Sequence, residues 1–558
     1  MTRNRFYRLL PICAVVLTGL FICFLSSFCQ ADDWPSYRGT MRDGVSRETG
    51  LLQSWPEDGP NLLWQFSKLG NGFGAPSIVA DKLYINGHLK GMEYLICLNA
   101  ETGKPIWATP VGPAKHPGGG TPGARSTPTV HRDMVYTLGI MGDLVACDAG
   151  TGRVIWRRNL VRQFGGVCPK NGYSESPLVD GKWIVFCPGG KSATVCALFR
   201  VNGQPVFLSG MRPWRCATGD PAGYASIVKA SIGGQQQYLV QTANGLLGVR
   251  VRGGDLLWRY DDVRANELTP LNNTPIWYAQ TVFQTGPENS AMLWPKKAES
   301  GSTFNVNEIY KSEEFKVPFL SAIRVNDMIF GGLDEGQFAC AGLKDGKIKW
   351  STEKCGQDCS CTYADGMLYV RNIKGGVSLV SATDKDFACQ GRFVLPGGPK
   401  RAGFAAPVIA NGRMYVRDQS FLFCYDVSKA GIEPPGPVRK PKKAKKSATA
   451  GPAMKGEISD GPEEEPEPAT KPATSSKSEK PAELPKVFSD DPEEEEQEET
   501  LDIKSEPQEK PADDEPKAGP GLPGMPGAGS SGRRPGGLPG MPGSSGSGKR
   551  PGGLPGMP

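Results

Sequence analysis

Histidine is the residue that this sequence has least of. The 558-residue chain contains three, His88, His116 and His131. Hydrolases built on Ser-His-Asp or Cys-His groups need a histidine as the base beside a nucleophile, and none of the three has a nucleophile motif next to it. His116 lies in a loop rich in glycine and proline, where a solvated side chain is the simpler interpretation. The scarcity of histidine therefore disfavours hydrolase chemistry.

Phosphate-binding loops and a strong excess of one charge are also missing. The glycine runs at 118–120 and 189–190 lack the G-x-x-x-x-G-K-S/T spacing of a nucleotide-binding loop. The 64 Lys and Arg residues face 58 Asp and Glu residues, with the basic excess in the middle of the chain and the acidic residues near its end. A basic surface on an exported protein is usually solvated, so no nucleic-acid partner is predicted.

The N-terminus has the pattern of an export signal. Three arginines among the first eight residues precede an apolar run from Leu9 to Phe28, and small residues follow at the positions that a signal peptidase reads. We predict a signal peptide at residues 1–31, cleaved after Ala31, and a periplasmic, secreted or cell-envelope location. The apolar run is also about long enough to span a bilayer, so an uncleaved anchor is the alternative and the one predicted contact with a membrane.

The composition changes abruptly near Gly431. Residues 431–558 are rich in Pro, Glu, Lys, Gly and Ser and contain almost no aromatic residues, so they cannot bury enough apolar surface to offset their chain entropy. The motif L-P-G-M-P recurs there without the strict glycine period of collagen. We predict a disordered tail at 431–558 and one folded domain at 32–430.

A short pattern recurs through the middle of the chain. Residues Ala146 to Trp156 read A-C-D-A-G-T-G-R-V-I-W, which is typical of a strand, a tight turn and a second strand. Copies follow at intervals of roughly 40 to 50 residues, the length of one propeller blade. The aromatic residues that end the copies, and that we expect to pack between neighbouring sheets, are Trp64, Trp107, Trp156, Phe207, Trp258 and Trp350.

Eight β-hairpin patterns stand in series in this region, which predicts an all-β, eight-bladed propeller. The segment 284–316 is the weakest of them, and its loss gives the seven-bladed alternative. Trp64 has no hairpin of its own, and the last unit, which ends at Asp426, has no Trp. We therefore predict that the strand around Trp64 closes the ring by completing the blade that contains Tyr415 and Cys424.

The cysteines divide into two groups once the predicted signal is removed. Cys97, Cys340 and Cys424 share the repeat position of Ala146, and we expect them to be buried small residues at a place where two sheets approach closely. A second group lies mostly at a connection between blades, where a disulfide is expected after export. A metal site is the alternative, which the shortage of histidine and of C-x-x-C pairs disfavours. This possible disulfide cluster comprises Cys355, Cys359, Cys361 and Cys389.

The pattern A-x-D-x-x-T-G-x-x-x-W, with partial copies across about residues 60 to 428, resembles the tryptophan-docking repeat of the PQQ-like β-propeller family. That family includes quinoprotein alcohol dehydrogenases and the propeller lipoprotein of the outer-membrane β-barrel assembly machinery. The opening W-P-S-Y-R-G at 34–39 is similar to the start of many exported bacterial members. For the enzymes, the resemblance implies PQQ and calcium over the central channel, an acidic general base, and a disulfide between adjacent cysteines. This sequence has no adjacent cysteines.

The repeat keeps its packing residues better than its polar ones. Asp148 becomes Asn99, Gly342 or Arg250 in other copies, whereas the small and aromatic positions persist. We therefore predict a non-enzymatic, exported propeller that acts as a protein-interaction scaffold, with no catalytic residue, cofactor or metal and a protein partner of unknown identity. The alternatives are a PQQ-dependent dehydrogenase of alcohols or sugars and a propeller that binds carbohydrate or another polymer through its loops.

Overall fold

The computed structural model describes residues 32–432, except 115–122, 207–214, 265–271, 300, 319 and 398–401. The predicted signal peptide, almost all of the predicted tail, His116 and Phe207 lie outside the described residues. Apart from strands, the described residues form a five-residue helix α1 (Leu160–Phe164) and one 3-10 turn (Asp334–Gly336). In this part of the chain no helix is long and apolar enough to cross a membrane.

The strands form eight antiparallel sheets of four strands each. Blades 1 to 7 take four consecutive strands apiece, beginning at β2, β6, β10, β14, β18, β22 and β26. Blades 1 to 4 comprise β2 (Ser77–Val79), β3 (Lys82–Leu89), β4 (Met92–Asn99), β5 (Pro105–Pro113), β6 (Thr129–His131), β7 (Met134–Leu138), β8 (Asp143–Asp148), β9 (Val154–Asn159), β10 (Leu178–Asp180), β11 (Trp183–Phe186), β12 (Val195–Phe199), β13 (Arg215–Cys216), β14 (Val228–Ile232), β15 (Gln235–Gln241), β16 (Leu246–Arg250) and β17 (Leu256–Tyr260).

Blades 5 to 8 complete the ring. They comprise β18 (Ile276–Tyr278), β19 (Thr281–Thr285), β20 (Ser290–Lys297), β21 (Phe304–Ser312), β22 (Ile323–Val325), β23 (Met328–Gly332), β24 (Phe338–Gly342), β25 (Ile348–Thr352), β26 (Ser360–Ala364), β27 (Met367–Arg371), β28 (Gly376–Ser381), β29 (Cys389–Val394), β30 (Val408–Ala410), β31 (Arg413–Asp418), β32 (Phe421–Asp426) and β1 (Leu62–Phe66). The eight-bladed prediction is confirmed and the seven-bladed alternative is wrong, because the segment 284–316 supplies the two outer strands of blade 5.

The ring closes through the N-terminal strand, as predicted. Strand β1 pairs antiparallel with β32 as the fourth strand of blade 8, and Trp64 lies opposite Cys424. The ring centroids of Trp64 and Tyr415 are 6.0 Å apart. The first and last parts of the repeat region therefore share one sheet, so β32 presents no unpaired edge.

The small position of the repeat pairs with the aromatic residue on the next strand of the same sheet. Ala146 lies opposite Trp156, and Gly248 lies opposite Trp258. A Cβ added to Gly248 would come within 2.0 Å of the Trp258 indole nitrogen. The residue at this position is therefore small because the indole from the next strand of the same sheet lies across it. The explanation expected from the sequence, a close approach of two sheets, is wrong. The same pairing recurs at Cys97–Trp107, Cys340–Trp350 and Cys424–Trp64.

At several blade boundaries the aromatic side chain then docks on a glycine in the outer turn of the next blade. A Cβ on Gly103 would lie 2.5 Å from Trp64, and a Cβ on Gly152 would lie 2.5 Å from Trp107. Both glycines have positive φ, +68° and +73°, so the turn and the contact each require glycine. Burying one indole in this way contributes on the order of 2–3 kcal/mol. Tyr310 against Gly346 and Phe393 against Gly59 take the place of Trp in blades 5 and 7.

The acid of the repeat caps its turn. Asp148 Oδ1 accepts hydrogen bonds from the Thr151 amide (2.8 Å) and from the Thr151 hydroxyl (2.7 Å). Asn99 Oδ1 accepts the corresponding bonds from Thr102 at 2.9 and 2.8 Å. An amide oxygen serves as well as a carboxylate here, which explains why Asp and Asn exchange between copies. The side chain therefore has a local structural role.

Candidate functional site

The first strands of the blades surround the central channel, where those of neighbouring blades contact one another. The Ser and Thr residues just before these strands join blade to blade. The Thr127 amide donates to Ser176 Oγ, the Ser176 amide to Ser226 Oγ, and the Thr274 amide to Ser321 Oγ, each at 2.9 Å. These hydroxyls are therefore engaged in holding the inner ring together, where burial without a partner would be costly.

The segment at residues 32–51, here called the N-terminal plug, runs across one end of the channel. Its Trp34 exchanges two main-chain hydrogen bonds with Ile78 of blade 1, at 2.8 and 2.9 Å. Further along the plug, the Ser46 amide donates to the Tyr363 carbonyl of blade 7 at 2.8 Å. Other residues of the plug bond to blades 2, 3, 4, 6 and 8. The W-P-S-Y-R-G opening is therefore the channel-crossing part of the fold.

Arg42 is a deeply buried basic side chain of the plug. It is 5% exposed, and its guanidinium donates to the carbonyls of Ile227 (2.8 Å) and Ser176 (2.6 Å). Burial lowers the pKa of Arg42 to about 10, so it stays charged at neutral pH. Its charge is balanced by carbonyl dipoles from blades 3 and 4, which ties the plug to the inner ring.

Two buried glutamates lie beyond the plug. Glu175 accepts a hydrogen bond from the Cys187 amide at 2.6 Å, and Glu93 accepts one from the Ile140 amide at 2.8 Å. Burial raises the pKa of each carboxyl to about 8, against a smaller opposing effect of these amides. Burial therefore favours the protonated form of both carboxyls, against the influence of Arg42 on Glu175 and of Arg125 and Arg417 on Glu93.

Three buried polar side chains, here called the polar belt, lie on the second strands of blades 7, 8 and 1. Its members are Arg371, Arg417 and Asn86. Arg371 pairs with Asp418 Oδ1 of blade 8 at 2.6 Å. Arg417 donates to the Asn86 carbonyl of blade 1 at 2.7 Å, and the Asn86 amide donates to Thr137 Oγ1 of blade 2 at 2.6 Å. These side chains therefore link each blade to the next.

Sequence reasoning missed the polar belt. Arg371 and Arg417 each follow a Tyr-Val pair at the end of an apolar run, which has the appearance of a strand running out into solvent. The only sequence signal for their burial was that arginine recurs at the same repeat position, after Tyr-Val, in two copies. Both side chains are in fact 0% and 1% exposed.

The described residues do not fit the calcium and PQQ that the quinoprotein enzymes imply. Calcium takes six to eight oxygen ligands, several of them ionised carboxylates. Among the described residues no group of three or more His, Cys, Asp or Glu side chains could hold a metal ion. Burial makes the protonated form more favourable for the acids Glu93 and Glu175, which does not suit a calcium ligand. We therefore derive no reaction that uses PQQ from these residues.

The four cysteines of the possible disulfide cluster come together at the boundary of blades 6 and 7. Cys355, Cys359 and Cys361 are buried in one apolar cluster, and Cys389 is half-buried. Burial raises the pKa of Cys355 to about 12, and the neighbouring Cys389 thiol adds to that rise. All four are free thiols in the structure. Their pairing after oxidation stays a prediction. Cys97, Cys340 and Cys424 are buried, as expected from the repeat.

The outer surface offers two features outside the repeat. A shallow cleft of about 600 Å³ lies beside β13 and β17 of blades 3 and 4, and its Arg259 is already paired with Asp220 at 2.7 Å. The second feature is the hairpin formed by β20 and β21, whose strands have 8 and 9 residues. Trp294 and Ile309 on this hairpin are 42% and 51% exposed. Blade 5 uses a different aromatic residue for docking, so Trp294 is not needed to close the ring.

Comparison with known proteins gives one family and several similar folds. Residues 91–352 match the family described as outer membrane protein assembly factor BamB. BamB from Moraxella catarrhalis is 13% identical, covering 64% of this chain and 82% of its own, with a TM-score of 0.33. A quinohemoprotein alcohol dehydrogenase from Comamonas testosteroni is 12% identical, covering 76% and 84%, with a TM-score of 0.42. The computationally designed Ika8 protein is 8% identical, covering 66% and 100%, with a TM-score of 0.45. No curated protein sequence matches the chain, and no activity follows from structural likenesses of this size.

Proposed function

Because the match over residues 91–352 confirms the resemblance to the PQQ-like β-propeller family, we propose on that premise that the chain is an exported protein-interaction scaffold of the periplasm or cell envelope. The matched family is described as an outer membrane protein assembly factor, and this description supports a protein-interaction role. The contacts of the plug, the inner ring and the polar belt support the same conclusion, since Arg42, Ser176 and Arg417 bond to other parts of the fold. We therefore place the functional site on the outer surface of the propeller.

The observation that carries the proposal is the exposed aromatic hairpin of blade 5. Trp294 is 42% exposed, with the Lys296 ammonium 5.8 Å from its ring centroid and the next residue, Lys297, also exposed. Tryptophan is among the residues that contribute most to protein interfaces, and flanking lysines favour a partner with nearby carboxylates. We therefore assign the hairpin to an envelope protein that offers an apolar pocket with an acidic rim.

A photo-crosslinking residue at position 294 of the full chain tests this assignment in intact cells. The matched control is position 394, because Val394 is 60% exposed at the end of β29 in blade 7. We expect a discrete protein adduct from position 294 and none from position 394. Adducts of equal pattern from both positions, or none from position 294, would contradict the proposal. Trp294→Ala should leave the unfolding temperature unchanged while abolishing co-purification of the crosslinked protein.

A further inference from the structure

Glu48 is an almost completely buried carboxylate that receives three main-chain amides. It is 1% exposed. The Gly412 amide donates to Oε2 at 2.9 Å, the Asn411 amide donates to Oε1, and the Asp32 amide donates to Oε1 at 3.2 Å. Asn411 and Gly412 form the turn between β30 and β31 of blade 8. Glu48 therefore ties the start of the N-terminal plug to the blade that closes the ring.

The third donor is the first residue after the predicted cleavage site. Hydrolysis of the Ala31–Asp32 peptide bond by a signal peptidase consumes one water, leaves a carboxylate on Ala31 and turns the amide nitrogen of Asp32 into an α-ammonium group. That nitrogen already lies within hydrogen-bond distance of Glu48. We propose that signal-peptide cleavage creates an ion pair between the α-ammonium of Asp32 and the buried carboxylate of Glu48, which fastens the plug across the channel in the mature protein.

The hydrogen bonds that the Glu48 carboxylate accepts come from uncharged main-chain amides. Burial raises the pKa of Glu48, the three amides oppose that rise, and the Asp32 carboxylate adds to it. No Lys, Arg or His side chain of the described residues is among the largest influences on the pKa of Glu48, and Arg413, which follows the donor Gly412, acts on the neighbouring Tyr415. The tyrosines Tyr369 and Tyr415 also face this carboxylate. A new positive charge at residue 32 therefore supplies the missing partner for a carboxylate that is otherwise costly to ionise.

The pair predicts a loss of stability with rising pH that falls in different pH ranges in the mature and extended chains. In the mature chain the partner raises the pKa of the α-amine above its usual value near 8, so the added stability is present at neutral pH and is lost as the pH rises through the raised pKa. In a chain extended beyond Asp32 the amide does not titrate. Its Glu48 has a raised pKa, so stability falls as the pH rises from the ordinary glutamate range.

The test compares the mature chain, which begins at Asp32, with the same chain extended by Ala-Ala, each with Glu48 and with Glu48→Gln. We expect the extension to lower the unfolding temperature by at least about 2 °C in the Glu48 chain, given the usual shift per kcal/mol for a domain of this size, and to have no effect in the E48Q chain. Glu57→Gln is the matched control, because Glu57 is exposed, and the extension should keep its full effect there. An equal effect of the extension in the Glu48 and E48Q chains would overturn the ion pair.

A second measurement covers the case in which E48Q does not fold. The α-amine of the folded mature chain should react with an acylating reagent at pH 7 at least about tenfold more slowly than in the urea-unfolded chain, since a pKa raised by one unit lowers the reactive neutral fraction tenfold. The amine of the extended chain should show no such protection. Equal rates in the folded and unfolded mature chain, or a mature N-terminus at a residue other than Asp32 by mass spectrometry, would overturn the inference.

Discussion

The docking of indole on glycine can be tested with two glycines of blade 1 that have the same backbone conformation. Gly103 and Gly91 both have positive φ, +68° and +77°. An added Cβ on Gly103 would lie 2.5 Å from Trp64, whereas one on Gly91 meets nothing within 4 Å. Alanine at either position takes on the left-handed backbone cost of about 1–2 kcal/mol. At Gly103 the clash with the indole adds about 1–3 kcal/mol, so we expect total losses in unfolding free energy of about 1–2 kcal/mol for Gly91→Ala and about 2–5 kcal/mol for Gly103→Ala.

Urea denaturation of the mature chain, followed by circular dichroism, measures both losses. The Trp64→Ala background supplies the decisive control, because the extra cost of Gly103→Ala depends on the indole and should disappear without it. Gly91→Ala should cost the same in both backgrounds. Equal losses for the two glycine variants, or an undiminished cost of Gly103→Ala in the Trp64→Ala background, would refute the docking explanation of the repeat.

Three further predictions concern the channel and the cysteines. Burial raises the pKa of Glu93 to about 8, so the native state holds a proton that the unfolded state releases, and stability should fall between pH 4.5 and pH 8 by up to about 1.4 kcal/mol per pH unit. Glu93→Gln should remove this contribution and leave that of Glu175, so the slope should become shallower in unfolding experiments, whereas Gln at exposed Glu101 should leave it unchanged. Addition of PQQ and calcium should neither raise the unfolding temperature nor produce dye-linked alcohol oxidation, and clear activity would favour the dehydrogenase alternative. Thiol titration of the denatured exported protein should find fewer than twelve free thiols, and peptide mapping should place the bridge among Cys355, Cys359, Cys361 and Cys389 and leave Cys97 free.

The blade count and the closure of the ring were predictable because they depend on local, repeated residues. A turn glycine and an aromatic residue recur at fixed spacing, and Trp64 and the last unit each lacked what the other had. The reason for the small residue was less accessible, since the sequence does not say that Gly248 lies opposite Trp258. Strand register decides this, and register is set by turns and bulges that the pattern only outlines.

The plug and the polar belt could not be predicted for a different reason. The Arg42 guanidinium donates a hydrogen bond to the carbonyl of Ile227, which is 185 residues away in the sequence. The plug does not repeat, so no sequence pattern indicates this partner. A lone arginine in a short polar stretch looks solvated in the sequence, whereas in the structure carbonyl groups of two blades surround it. The closed ring brings together segments that are far apart in the sequence, so contacts of this kind can be identified only from the three-dimensional structure.

The N-terminus and the last blade depend on each other through two separate contacts. Strand β1 supplies the fourth strand of blade 8, and Glu48 of the plug binds the turn of the same blade, 364 residues along the chain at Gly412. Contacts so distant in sequence carry a large loop-closure cost and form late, after the intervening blades have ordered the chain. The ring can therefore be completed only when blade 8 is available to the N-terminal segment. An ion pair at Asp32 would then stabilise contacts that form last. Because such contacts are absent from the folding transition state, the added stability should slow unfolding of the ring more than it speeds folding.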